Sequence, residues 1–149
     1  ENFNHIHETP RRLIDLSQDW RVWVLCDRDP VENWIDGRAV LLGDAAHPTL
    51  QYYAQGACMA LEDGVCLSQL VGANPDNLDS ALIRYQERRV VRTARIQLGS
   101  RQLSDNWFHV DGVHRRLRNE IMGGMMAEDY YDNLDWLYGH NEAKAVDAL

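Results

Sequence analysis

Apolar residues along this chain fall into stretches of different period. Leu13, Ile14 and Leu16 follow Thr9-Pro10, which predicts a helix with Thr9 as N-cap and Pro10 at the first helical position. Arg21-Val22-Trp23-Val24-Leu25 alternates large side chains and predicts a strand, stopped by Asp27-Arg28-Asp29-Pro30. Asp36-Gly37-Arg38 reads as a turn into Ala39-Val40-Leu41-Leu42, a continuous apolar run of the kind a parallel strand covered on both faces shows. From Gln55 to Val71, Ala57, Ala60, Leu61, Gly64, Val65, Ser68 and Val71 recur at helical spacing, small enough to let that helix lie close on a sheet. Gly72 to Pro75 ends it.

A second long helix is predicted from Asp76–Asp79 through Ala81, Leu82, Tyr85 and Val91 towards Leu98, and a third over His114 to Met122. Beyond Gly123-Gly124 the chain turns acidic, yet Leu134, Trp136, Leu137 and Tyr138 predict that part of this tail packs; the last residues read as frayed. The expected fold is an α/β fragment: one or two strands followed by long helices.

Composition narrows the function classes. A chain of 149 residues has room for one core. Starting at Glu1 rather than Met, it reads as cut from something longer, and Glu1 to Asp15 has no apolar signal-peptide region. No apolar run is long enough to span a bilayer. The net charge of -8 argues against general nucleic-acid affinity. Three cysteines without an export signal predict reduced thiols and a cytoplasmic protein. Cys58 and Cys66 on one helix would lie ~12 Å apart, too far for a disulfide; Cys26 and Cys66 read as small buried hydrophobes.

The chemistry concentrates in Gly37-Arg38-Ala39-Val40-Leu41-Leu42-Gly43-Asp44-Ala45-Ala46-His47-Pro48 and the following Gln55 to Asp63. Ligands in open α/β sheets sit beyond the carboxyl ends of strands. Asp44 there can accept hydrogen bonds from a polyol, Gly43 and Ala45 leave room for a close approach, and the amides of Gly56, Ala57 and Cys58 would meet an anion at a helix N-terminus. The same spacing fits an ordinary strand–loop–helix crossover.

Those residues resemble the second flavin-binding motif of the single-component FAD-dependent aromatic hydroxylases, the para-hydroxybenzoate and salicylate hydroxylase family. The run Asp27 to Trp34 resembles the stretch before that motif, and His47 to Asp63 is most similar to the 3-hydroxybenzoate 6-hydroxylase branch. The resemblance is strong over Asp27 to Val71 and fades beyond Leu103. It implies the C-terminal portion of a Rossmann-like hydroxylase: residues 1–35 from the end of the substrate domain, 36–103 from the FAD domain, 104–149 a helical region and acidic tail.

By the same resemblance, Gly43, Asp44, Ala45, Gly56, Ala57 and Cys58 would hold FAD, with Asp44 on its ribityl or pyrophosphate part and the helix end on the flavin ring. Gln51 would face substrate, with Tyr53 or Tyr52 as a wall; a solvated loop residue is the other reading of Gln51. The parent enzyme would hydroxylate a phenolic aromatic acid, such as 3-hydroxybenzoate or salicylate, with NADH or NADPH and O2. No residue is assigned as catalytic acid or base and none as metal ligand. His47 reads as a loop-packing residue, the alternative being a general base, and His5 and His7 as surface residues. A homodimer is compatible with the resemblance.

The family's first motif, G-x-G-x-x-G, occurs nowhere in the chain, so the ADP side of FAD must come from elsewhere. The 149 residues alone are expected to bind FAD weakly or not at all and to be inactive. A rival, non-enzymatic reading rests on Arg84, Arg88, Arg92 and Arg95, near one helix face, which with Arg89 and Arg101 would dock an acidic partner or nucleic acid; pairing with the acidic tail is the plainer reading.

Overall fold

A computed structural model describes residues 6–147. The chain is mostly helical with a two-stranded antiparallel sheet: two short strands precede the long helices, as expected, and no parallel strand pair occurs among the described residues. In order come α1 (Glu8–Leu16), β1 (Ile35–Asp36), β2 (Ala39–Val40), 3-10 turns at Gly43–Ala45 and Gln51–Tyr53, α2 (Gly56–Ala73), α3 (Leu78–Leu103), a π-turn at Ser104–Phe108, α4 (Gly112–Gly124), α5 (Ala127–Tyr138) and α6 (Glu142–Asp147).

At the start, α1 begins one residue before the predicted cap. The His7 ring Nδ1 accepts from the Thr9 amide at 3.2 Å, so His7 takes the role expected of Thr9. His5 and the last two residues lie outside the described residues.

Two strand expectations are corrected. Arg21 to Leu25 forms no strand, and Val22, Trp23 and Val24 are exposed. A strand is stabilised by hydrogen bonds to a neighbour, and none lies beside this run among the described residues. Ala39 to Leu42 is not a covered parallel strand either. Ala39 and Val40 pair with Asp36 and Ile35 in a hairpin whose turn holds Gly37 at φ +57°, a left-handed conformation that glycine adopts without strain. Leu41 and Leu42 are left partly exposed. A short apolar run does not by itself declare which neighbours will cover it.

Helices α2 and α3 form the core. The line Met59, Asp63, Cys66, Leu70 is the buried face of α2. This overturns the expected face: Ala57, Leu61, Gly64, Val65 and Ser68 are exposed here. Asn77 caps α3 through its side chain, accepting from the Ser80 amide at 3.1 Å. Ala81, Leu82 and Tyr85 are buried as expected, whereas Val91 and Leu98 face out.

One apolar cluster joins Trp34, Ala46, Cys66, Leu70, Ala81 and Tyr85. A second joins Met59, Ile96 and Leu137, so the expected packing of the acidic tail is present. Cys26 is exposed, against expectation, while Cys66 is buried. Burial, with Glu142 beside it, pushes the Cys66 thiol up to about 12. Among the described residues no helix is long and apolar enough to cross a membrane.

Candidate functional site

The residues after β2 fold back onto the start of α2. Gly43 sits at φ +59°, and a Cβ on it would lie 3.3 Å from Ala60 Cβ, so this turn and α2 are in close contact. Any larger residue would be both strained and crowded there. Gly43 is buried, while Asp44 and Ala45 are exposed beside it. The position of a Cβ on Gly56 would be 3.9 Å from Asp44 Oδ1, which places the carboxylate at the first turn of α2.

Gln55, the N-cap residue, makes no side-chain cap, and Ala57 and Cys58 are exposed. Asp44 and the first turn of α2, with Gly56, Ala57 and Cys58, therefore share one surface, while Gly43 is buried against α2. That surface combines an accepting carboxylate with the positive end of an 18-residue helix.

Between these two parts runs the segment from Pro48 to Ala54. Gln51 is exposed, but Tyr53 turns into the protein. Its ring meets Trp136 edge-on, with centroids 5.9 Å apart, and fills the space over Gly99. Burial raises the Tyr53 phenol above its ordinary range. Its carbonyl accepts from the Tyr138 hydroxyl at 3.2 Å. Tyr52 stacks on Phe108 and reaches His109 Nε2 at 2.6 Å. Both tyrosines line an open cleft of about 710 Å³ with Trp107, Phe108, Arg118 and Met122. The two proposed substrate residues thus share a turn, with Gln51 free and Tyr53 held by α3 and α5.

Beneath the surface lies a buried polar network that sequence reasoning passed over. Asp63 Oδ2 accepts from the Gly43 amide at 3.0 Å and lies 2.6 Å from His47 Nε2; its Oδ1 accepts from Arg89 Nε at 2.7 Å. All three side chains are fully buried. Burial raises the Asp63 carboxyl, but hydrogen bonds from His47, Gly43 and Arg89 outweigh it and hold the group below its usual range. His47 is enclosed here against Trp34, in agreement with a packing role.

Arg89 also pairs with Glu62 and Glu142, Arg88 with Glu142, and Arg92 with Glu62. Arg95 stacks on Trp136, 3.7 Å from the ring centroid. The expected basic stripe is therefore largely engaged inside the molecule, and an acidic residue of the tail is one of its partners. Glu62, His140 and Glu142 cluster closely enough to suggest a cation, but three guanidiniums already neutralise these carboxylates.

A second clamp holds the loop from outside. Arg28 donates to the Ala45 and Ala46 carbonyls, each at 2.8 Å. Buried Gln97 donates to the carbonyls of Arg28 and Pro48 at 3.0 and 3.1 Å. Arg101 pairs with Asp27 and Asp29. The run from Asp27 to Pro30 is thus fastened to the loop that follows Asp44. The readable signal for the inner network was a charged residue, Asp63, on the Met59–Cys66–Leu70 line of α2.

No protein-family profile matches the chain. Curated proteins do. The 3-hydroxybenzoate 6-hydroxylase 1 of Aquipseudomonas alcaligenes is 50% identical over 139 residues, 93% of this chain and 35% of that protein. The 3-hydroxybenzoate 6-hydroxylase of Klebsiella oxytoca is 41% identical over 146 residues, 98% of this chain and 36% of that protein. A 3-amino-4-hydroxybenzoate 2-monooxygenase of Streptomyces cremeus is 39% identical over 137 residues, 92% of this chain and 34% of that protein. The chain is thus a relative of the 3-hydroxybenzoate 6-hydroxylases, and it spans about a third of their length.

Proposed function

We propose that this chain is the C-terminal, flavin-binding segment of a single-component FAD-dependent monooxygenase that hydroxylates a phenolic aromatic acid using NADH or NADPH and O2. One observation carries this reading: Asp44 stands at the N-terminus of α2, with Ala45, Ala57 and Cys58 open beside it. That donor set fits a flavin. A carboxylate accepts from ribityl hydroxyls, and a helix end stabilises negative charge on the N1 and O2 edge of the ring. Gly43 and Gly56 carry no side chain that would fill the approach.

In this reading FAD supplies the oxygen chemistry, and the protein supplies position and field. Asp44 would hold the ribityl or pyrophosphate part, and the amides of Gly56, Ala57 and Cys58 would face the ring edge. Gln51 presents a polar group to the substrate, and Tyr53 fixes the loop that carries it. The names of the relatives favour 3-hydroxybenzoate over salicylate as substrate. Residues 1–35 then belong to the substrate-domain side, 36–103 to the FAD domain and 104–149 to a helical cover. The ADP side of the cofactor comes from chain outside these 149 residues, and the segment alone is inactive. A cytoplasmic homodimer completes the proposal.

The test is the full-length parent. It should purify with flavin absorbance and couple NAD(P)H oxidation and O2 uptake to 3-hydroxybenzoate, and Asp44→Ala should lower its FAD affinity by about tenfold or more, the size of a lost charged hydrogen bond. A parent that takes up no flavin, or an Asp44→Ala variant that binds it unchanged, would overturn the reading.

A further inference from the structure

Resting on that flavin reading, we propose that Asp63 is the positioning residue of the Gly43–His47 turn, and that α6 belongs to the same device through Glu142 and Arg89. Asp63 grips the turn at both ends. One oxygen receives the Gly43 amide, immediately before Asp44, at 3.0 Å and lies 2.6 Å from the ring of His47. An ionised carboxylate only accepts, so His47 Nε2 carries the proton between them.

Asp63 stands on α2, two turns beyond Gly56. The turn bearing Asp44 and the helix end bearing the free amides are therefore fixed in register by one side chain. This is the relation a ligand touching both would need.

The other Asp63 oxygen faces Arg89 at 2.7 Å. Arg89 is held in turn by Glu142 of α6 at 3.1 Å and by the Met59 carbonyl at 3.3 Å. Glu142 is itself fixed by Arg88 and His140, each at 2.7 Å. With Glu62 also 2.8 Å from its Nη1, this buried guanidinium is held by three carboxylates and a carbonyl, which leaves it few ways to move. The position of α6 thus reaches Asp44 through two buried ion pairs, although Glu142 lies far from it in sequence.

The experiment uses the full-length parent carrying Asp63→Asn or Glu142→Gln, with Asp44→Ala as reference. Three properties are read: amide exchange of residues 43–47 in flavin-free protein, FAD affinity, and the midpoint potential of bound flavin. Asp63→Asn should speed exchange of that turn, weaken FAD by about tenfold and shift the potential to more negative values. Glu142→Gln should move all three in the same direction by less.

A lowered melting temperature with unchanged exchange, affinity and potential would overturn the proposal, leaving Asp63 a structural residue only. If Asp63→Asn does not fold, Glu142→Gln decides by the same three readings. A parent that binds no FAD refutes the flavin reading instead, while the exchange measurement still decides whether Asp63 holds the turn.

Discussion

Trp34 and Trp23 stand close in sequence and end in opposite environments. Trp34 is 3% exposed, packed between His47 and Tyr85, with its indole N–H donating to the Val31 carbonyl; Trp23 is 76% exposed. The same contrast holds for the regions around them. Residues 17–25 form no helix or strand and carry exposed Trp20, Val22, Trp23, Val24 and Leu25. The α2–α3 pair encloses not only apolar side chains but also Asp63, Arg89, Thr93, Gln97 and Ser100. Apolar character alone did not decide burial. A facing element did, and α2 and α3 supply one to each other while the early run has none among the described residues.

The contrast is broken most severely at Asp63. Asp63→Ala would leave His47 buried without its partner and Arg89 with only Glu62 and Glu142, and should destabilise the chain by about 3–5 kcal/mol, measured by urea unfolding. A loss below about 1 kcal/mol would mean that the network is not the core element described here.

Acid attacks the same region through several groups at once. Asp63, Glu62 and Glu142 are all held below the ordinary carboxylate range, because hydrogen bonds and arginine charges outweigh the upward push of burial. Their stabilisation is fully present above the unfolded values near pH ~4 and is lost as pH falls through the depressed folded values. Circular dichroism should show stability constant from neutral pH down to that range and falling below it. Stability that does not change below pH ~4 would contradict the ion pairs.

Gly99→Ala tests the contact between the substrate loop and the C-terminal helices. A Cβ there would meet Tyr53 Cε2 at 2.7 Å, so the ring must leave Trp136 at a cost of about 1–3 kcal/mol. Fluorescence of Trp136 against a matched Trp136→Phe control should report the displacement. In the early run, by contrast, Trp23→Ala should change the stability of this 149-residue chain by less than about 0.5 kcal/mol. A larger loss would show that Trp23 has a partner after all.

How far these properties were legible follows from where their causes lie. The two long helices could be read because caps and breakers such as Asn77 and Pro75 act locally. The hairpin turn at Gly37 was readable for the same reason. The strand at Arg21–Leu25 and the buried face of α2 were misread because both depend on neighbours that periodicity does not name. Small residues at Ala57, Gly64 and Ser68 suggested a covered face, yet the covered face is the one with Met59, Asp63, Cys66 and Leu70. In the site, Gly43, Asp44 and Gly56 lie near the start of α2, and the motif that named them is a contiguous stretch of sequence. Asp63, Arg89 and Glu142 were hidden because a charged side chain in a sequence ordinarily means solvent, and only the fold reveals that three arginines and three carboxylates neutralise one another indoors.

Cys58 gives the most direct measurement of the central claim, that the start of α2 faces a flavin. Cys58 is exposed and Cys66 is buried, so a thiol reagent should label Cys58 in the flavin-free, full-length parent and leave Cys66 untouched until unfolding. Adding FAD should protect Cys58 in the native parent and lose that effect in Asp44→Ala. Labelling of Cys58 at the same rate with and without saturating FAD would contradict the account.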